Sequence, residues 1–450
     1  MSKDIRIRRG LDVKLLGEAR KELSEVSRSE VYAIQPTDFH GVTPKLLVKE
    51  GDEVKAGTHL FYDKDMDQVV CSSPVSGEIV EIQRGEKRKI EAIKILADRE
   101  QKYVDFGSAD PSSLSSEEVK KRILEAGLWM SIRQRPFDVF ANPEAEPKAI
   151  FISAFDSAPL APDNAFALEG DEEAFSAGIA ALQKLTSGKV HMTFHSKLPK
   201  WSWADKIQGV EKHTISGPHP SGNVGLQIHK IDPINKGEVV WTVKPQEVVV
   251  LGRLFMSGHV DMTKVVAITG SEVKDPMYAK VLPGVSMKAL LEGQTNPEGN
   301  RIISGNVLTG TTSSMDGALG YYDTQVTVIP EGNYEEFLGW IAPGFGKFSN
   351  SRAYFSWLNP GKKYRLDTNT HGEKRAYVVT GEYEQVFPFD IYPVQLIKSI
   401  MIGDIEAMEG LGIYEVAPED FALCEVVCTS KTEVQKIVRE GLDLVKQETT

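Results

Sequence analysis

The sequence predicts an α/β chain of several domains, and three observations carry that reading. Its 450 residues exceed what one ordinary core organises, which sets a prior of about three domains. Between 148 and 260, apolar runs of strand length alternate with a helically spaced segment, the pattern of a parallel sheet with crossover helices. The flanking stretches 42–83 and 263–328 are short β-rich runs broken by Gly and Pro, as in small β units. Apolar residues make up 41% and charged residues 26%, enough to build packed cores.

Taken in order, VTPKLLVKEGDEVKAGTHLFYDKDMDQVVCSSPVSGEIVEI (from residue 42) places turns at Gly51-Asp52 and Ala56-Gly57, where positive φ is needed. Pro74 and Gly77 suit an exchange between two halves of a flattened barrel. A charged stretch from Asp98 to Gly127 reads as a linker followed by a helix capped by Ser115 or Ser116. KAIFISAF (148–155) is a buried strand, EEAFSAGIAALQKLTSG a helix and KVHMTFHS a second strand, which together form a βαβ unit. Further on, VGLQIHKI and GEVVWTV read as strands and VVVLGRLFMSG as a buried segment. From Thr263 to Val328, short strands with one short helix, VSMKALLEG, have the rhythm of a β-grasp unit. The remainder holds the aromatic-rich run GWIAPGFGKFSNSRAYFSWLNP and then the helical segments VQLIKSIMIGDIEAMEGLG and KTEVQKIVREGLDLVKQ. The expected divisions are an N-terminal region 1–100, with its β unit from about 30, an α/β domain 101–260, a β-grasp domain 261–332 and a C-terminal region 333–450.

Several function classes are disfavoured. A net charge of −12 argues against nucleic acid or an anionic lipid surface as the direct partner. Three cysteines cannot build a disulfide framework, and the opening MSKDIRIRRG is polar where a signal peptide would be apolar, so the cytoplasm is the expected compartment. No apolar run reaches the length of about 20 residues that a membrane helix needs. Neither a GxxxxGK[ST] loop nor a glycine-rich dinucleotide turn follows the strand at 148, where FDSAPLAPDN stands instead. Pro159 and Pro162 remove donors an anion would use, which disfavours NADH on this chain.

Candidate sites are few. Cys424 and Cys428, in FALCEVVCTS read as a strand, would share a face, but with only Cys71 elsewhere no four-thiolate site can form; two buried thiols are expected. His191 and His195 share a strand face, yet nothing close in sequence completes a metal site, and none is expected. The loop GPHPSGNVGLQIHK (217–230) is the densest local signal, with His219 and Asn223 as its binding candidates. A structural crossover between domains accounts for the same residues equally well.

VKEGDEVKAGTHLFYDKDMDQVVCSSPVSGEIVEI resembles a biotinyl/lipoyl-type hammerhead. The carrier lysine of that fold would fall near Met66 and Asp67, with Lys64 displaced toward the strand, so the resemblance implies the fold without the swinging arm. With GPHPSGNVGLQIHKIDPINKGEVVWTV and RIISGNVLTG, nearly the whole chain resembles the A-subunit family of Na+-translocating NADH:quinone reductases. That resemblance implies a hammerhead, a Rossmann-like domain, a β-grasp (soluble-ligand-binding) domain and a helical C-terminal region. It implies a peripheral subunit on the cytoplasmic face of the bacterial inner membrane, partnered by the membrane subunits and the NADH-oxidising subunit, with NADH, flavins and iron–sulfur held elsewhere in the complex.

Related redox modules, the electron-entry subunit of Rnf complexes among them, carry a glycine-rich flavin loop where AGLWMSIRQRPFDVF (126–140) stands here. Trp129, Met130 and Phe137 are too bulky for a phosphate cradle, and the C-terminal helices carry no cysteine quartet, so no bound flavin or iron–sulfur and no catalytic residue are expected. Quinone is the ligand the family suggests, with Trp129 and Phe137 as walls and Arg133 or Arg135 as donors. The alternative is a docking platform with no ligand, for which FGKFSNSRAYFSWLNP (345–360) is a candidate interface.

Overall fold

The computed structural model describes residues 2–449 apart from Glu25, Ser27, Pro199, Lys200, Pro297 and Trp340; the last, part of the aromatic run, therefore lies outside the described residues. The chain builds a small two-sheet β barrel, a seven-stranded α/β layer, a six-stranded mixed sheet and a C-terminal group of helices.

In the barrel, Val31–Ile34, Ile90–Ala97, Gly77–Arg84 and Glu53–Val54 form one sheet, and Pro44–Leu46, His59–Asp63 and Val70–Ser72 the other. Gly51 and Gly57 have φ of 88° and 96°, the left-handed turn positions expected of them. The turn between His59–Asp63 and Val70–Ser72 contains Met66, whose half-buried side chain packs against the core, so this tip folds inward.

Residues before the barrel belong to other sheets. Asp4–Arg6 pairs in parallel with Glu211–Ser216, and Arg20–Ser24 pairs with Met277–Val281. Within the expected 1–100 region, the two strands Asp4–Arg6 and Arg20–Ser24 therefore edge two later units. These short strands are mostly exposed, so they carry no apolar alternation to read.

In the α/β layer the strands lie in the order Asp4–Arg6, Glu211–Ser216, Lys189–His195, Ala149–Ser153, Val240–Thr242, Arg133–Arg135 and Val139–Phe140. The first five are mutually parallel; Arg133–Arg135 runs against them, and Val139–Phe140 pairs antiparallel to Arg133–Arg135. From Ala149–Ser153 the chain winds outward through Lys189–His195 to Glu211–Ser216, then returns to add Val240–Thr242 on the opposite side. The winding therefore reverses beside Ala149–Ser153. That strand is buried on both faces: Ile150 and Ile152 join the main core, while Ala149 and Phe151 pack against Ile228 and Ile231. Helices Glu172–Lys184 and Pro245–Ser257 cross on the main-core face at glycines. A Cβ on Gly178 would lie 2.0 Å from the Val248 carbonyl oxygen, and one on Gly252 would lie 1.7 Å from that of Ala174.

Two segments expected as strands are helices. VGLQIHKI forms Val224–Ile231: Val224, Leu226 and Ile228 alternate like a strand, but Val224, Ile228 and Ile231 also share a helix face, and that set meets the sheet. FALCEVVCTS contains the helix Ala422–Val427. Cys424 and Cys428 are both buried free thiols, as expected.

The six-stranded sheet runs Thr311–Ser313, Asn300–Ser304, Gln325–Pro330, Lys264–Thr269, Met277–Val281 and Arg20–Ser24, with the short helix Met287–Leu291 in the segment expected to be helical. Phe39 of the barrel packs on Tyr321 and Tyr322 of this unit, joining the two. The C-terminal helices, including Pro393–Ile402 and Val434–Thr449, share a core with Ile7, Phe137, Phe155, Ile215 and Leu226 of the α/β layer. No described helix is long and apolar enough to cross a membrane.

Candidate functional site

A cavity of ≈ 180 Å³ opens at the carboxyl ends of Ala149–Ser153 and Val240–Thr242, the point where the sheet reverses its winding. Open α/β sheets bind ligands at such a crevice, because the loops leaving adjacent strands diverge there. Ser153, Phe155 and Asp156 come from the first strand end, and Thr242, Lys244 and Glu247 from the second and the helix it feeds. Asn306, Leu308 and Tyr322 from the mixed sheet, and Glu419 from the C-terminal region, close it.

His219 and Asn223, the loop candidates, both line this cavity. Gly222 between them has no room for a side chain, since a Cβ would sit 2.5 Å from the Ser157 amide nitrogen. That approach lets the Gly222 N–H donate to Ser157 Oγ at 2.8 Å, and the same hydroxyl shares a hydrogen bond with His219 Nδ1 at 2.9 Å. The His219 N–H donates to Asp12 Oδ1 at 2.8 Å. Burial lowers the His219 pKa, against the opposing pull of Asp156 and Asp12. Asn223 precedes the helix Val224–Ile231 and donates to the Glu419 carbonyl at 3.4 Å.

The segment 126–140 is only partly the wall expected of it. Trp129 is fully buried in the main core, its Nε1 donating to the Ala141 carbonyl at 2.7 Å and its ring edge-on to Trp241 at 5.4 Å. Phe137 points away into the C-terminal core, edge-on to Tyr414 at 6.1 Å. Neither lines the cavity. An aromatic ring flanking a hairpin gains most from a dry core, and here Trp129 joins the main core and Phe137 the C-terminal one.

Arg133 and Arg135 do line it, but both are already paired. Arg133 meets Asp138 at 2.8 Å and lies 5.2 Å over the Tyr322 ring. Arg135 donates Nη1 to Asp420 at 2.9 Å and Nη2 to Glu419 at 2.5 Å. Burial works against the Arg135 charge, but the two carboxylates outweigh it and hold its pKa above the ordinary arginine value. A Cβ on Gly225 would fall 2.7 Å from Arg135 Nη1, so that glycine admits the guanidinium. Deeper still, Lys264 and Glu247 form a buried ion pair, and Lys264 also donates to the Tyr321 carbonyl at 2.7 Å.

Sequence reasoning missed Asp156, Lys244, Glu247, Tyr322 and Glu419. The first two follow directly on strands it had identified, so the strand-end rule pointed to them. Glu247 follows three residues after Lys244 on the helix that strand feeds, while Tyr322 and Glu419 arrive from distant segments and left no local signal. His191 and His195 do share a face, but four residues along a strand separate them by about 13 Å, too far to share one ion. His195 instead packs edge-on to Phe155 at 5.1 Å.

Comparison with known proteins adds three family matches: residues 5–98 to the NqrA N-terminal barrel-sandwich hybrid domain, 114–260 to the NqrA second alpha/beta domain and 265–314 to the NQRA C-terminal domain. The Na(+)-translocating NADH-quinone reductase A-subunit of Yersinia pestis bv. Antiqua (strain Angola) is 36% identical over 455 residues, covering 99% of this chain and 100% of that protein. The same subunit is 36% identical over 449 residues in Cellvibrio japonicus (strain Ueda107), again over 99% of this chain and 100% of that protein. In Saccharophagus degradans it is 37% identical over 449 residues at the same coverage.

Proposed function

The chain belongs to the NqrA family, the A-subunits of Na(+)-translocating NADH-quinone reductases, and from that premise we propose that its strand-end cavity receives the quinone ring. In this reading the chain is a peripheral subunit on the cytoplasmic face of a bacterial membrane complex that oxidises NADH, reduces quinone and expels Na+. NADH, flavins and iron–sulfur are held by its partners, and none of them by this chain.

The observation that carries the reading is the charge balance of the cavity. Four carboxylates, Asp138, Asp156, Glu247 and Glu419, face three cations, Arg133, Arg135 and Lys244. A phosphate-bearing cofactor would meet no surplus of positive charge there, whereas a neutral ring carries none to compensate. Phe155, Leu308 and Tyr322 supply apolar walls, and Asn223, Lys244 and Arg133 are donors within the same lining for a quinone carbonyl. The size agrees, since a cavity of roughly 150 Å³ takes up benzene. Photolabelling of the purified complex with an azido-quinone tests it. Label in peptides carrying Phe155, Asn223 or Tyr322 is expected, and label confined to other subunits overturns the assignment.

A docking platform without a ligand is the second reading, favoured by the exposed apolar residues of the 337–358 segment. Phe337 is 92% exposed, and Phe345 and Leu358 are each 61% exposed. Crosslinks from this segment to membrane subunits, with no quinone label on this chain, would select it.

A further inference from the structure

We propose that His191, Glu211 and His213 form a binding site for a zinc-like divalent transition-metal ion, in a different part of the α/β sheet from the cavity and independent of the quinone reading. The ladder register creates the cluster. His191 lies opposite Glu211, and Thr193 opposite His213, in the parallel pair Lys189–His195 and Glu211–Ser216. Residues two apart on a strand share a face, so Glu211 and His213 point the same way and His191 joins them from next door. The potential ligand atoms all lie within 4.8 Å of one another.

The distances suit a tetrahedral ion once the carboxylate is drawn inward. His191 Nδ1 and His213 Nε2 are 2.9 Å apart, and Glu211 Oε2 lies 3.9 Å from His191 Nδ1. Metal–nitrogen bonds of about 2.0–2.1 Å at tetrahedral angles place neighbouring ligands roughly 3.3 Å apart. An ion would therefore spread the imidazoles by a few tenths of an ångström and draw the carboxylate in. Phe151 stacks on His191 with ring centroids 4.6 Å apart and holds its orientation. Two imidazoles and one carboxylate select a zinc-like ion over Mg2+ or Ca2+, which prefer all-oxygen sets, and three protein ligands leave a fourth position for water.

Existing contacts must yield, those of Lys189 and Lys3 among them. Lys189 holds Glu211 at 2.7 Å, but its side chain is largely exposed, so that pair is weak and exchangeable. The Lys3 N–H donates to His213 Nδ1 at 3.0 Å, so neutral His213 carries its proton on Nε2, directed at His191. Ligation through Nε2 moves that proton to Nδ1, and the Lys3 amide loses its acceptor. Ion binding and the anchoring of the first edge strand are therefore opposed.

The test titrates the full chain with Co2+ and then Zn2+, following visible ligand-field absorption and calorimetry. One Co2+ per chain, displaced by Zn2+, is expected, with faster hydrogen exchange at the Lys3 amide in the loaded protein. H191A and H213A should each weaken binding by about 100-fold or more, E211Q by about 10-fold, and H195A not at all. A wild-type chain without a ligand-field band, or H191A and H213A variants that bind like wild type, overturns the site. Should the histidine variants fail to fold, the partly exposed Glu211 decides: unchanged affinity in E211Q also overturns it.

Discussion

Replacing Arg135 with Met separates a structural role from a ligand-binding one. The guanidinium is buried, and its main partner, Asp420, has a side chain that is 0% exposed. Besides Arg135, Asp420 accepts the Ala417 N–H at 2.9 Å. Burial alone raises the Asp420 pKa, and Arg135 pulls it back. R135M strips that compensation from a fully desolvated carboxyl, a loss of about 3–5 kcal/mol. R135M/D420L removes both charges and should lose much less than the sum of the single changes, a coupling on the order of 2 kcal/mol. Glu419, whose side chain is 39% exposed, is the less enclosed of the two carboxylates, so E419Q should cost less than R135M, about 1 kcal/mol or less. Urea unfolding followed by circular dichroism gives the losses, and limited proteolysis shows whether the 383–449 helices release first. Strict additivity of R135M and D420L, or an R135M protein as stable as wild type, would refute the reasoning.

Three further outcomes are expected. Burial raises the Asp38 carboxyl to about 7, so the folded state binds its proton more tightly than the unfolded chain does. The resulting stability is present below about pH 4 and lost as pH rises to 7, by up to about 4 kcal/mol, and D38N should flatten this slope in denaturation curves taken from pH 4 to 8. G222A drives a Cβ to 2.5 Å from the Ser157 amide and should lower stability by about 1–3 kcal/mol and disturb the His219–Ser157 contact, read as a shifted His219 imidazole resonance. Cys71 and Cys424 are buried, and burial pushes both thiols above their ordinary pKa, so neither should react with a thiol reagent until the chain unfolds.

What was legible in the sequence followed from strong local patterns. KAIFISAF, KVHMTFHS and the helix between them had the apolar periods of their final conformations, and Ser115 with Glu118 forms the full capping box at the helix expected there. Val224–Ile231 was not legible because eight residues satisfy both periods at once, and contact with Ala149 and Phe151 decides between them. The Glu211–His213 pair was hidden for a related reason. Its residues sit on a strand only partly buried, and His191 reaches them across the ladder, not along the chain. Trp129 and Phe137 were misplaced because residue type indicates an apolar environment without indicating which core supplies it.

The hairpin Arg133–Phe140 shows how those separate readings meet. Phe137 and Asp138 at its tip have φ of 77° and 51°, left-handed values that cost about 1–3 kcal/mol each in non-glycine residues. Such a conformation persists only where its surroundings over-determine it. Phe137 is held by Tyr414, Asp138 by Arg133, and Arg135 by Glu419 and Asp420, so two of the three anchors lie in the C-terminal region. The same hairpin presents Arg133, Arg135 and Asp138 to the cavity. The cavity wall is therefore pinned to the C-terminal helices as well as to its own sheet, which it joins through the short antiparallel ladder of Arg133–Arg135 with Val240–Thr242. A displacement of those helices therefore acts on Arg135 at the cavity, whereas a ligand that draws Arg133 from Asp138 acts on the hairpin's own internal contact.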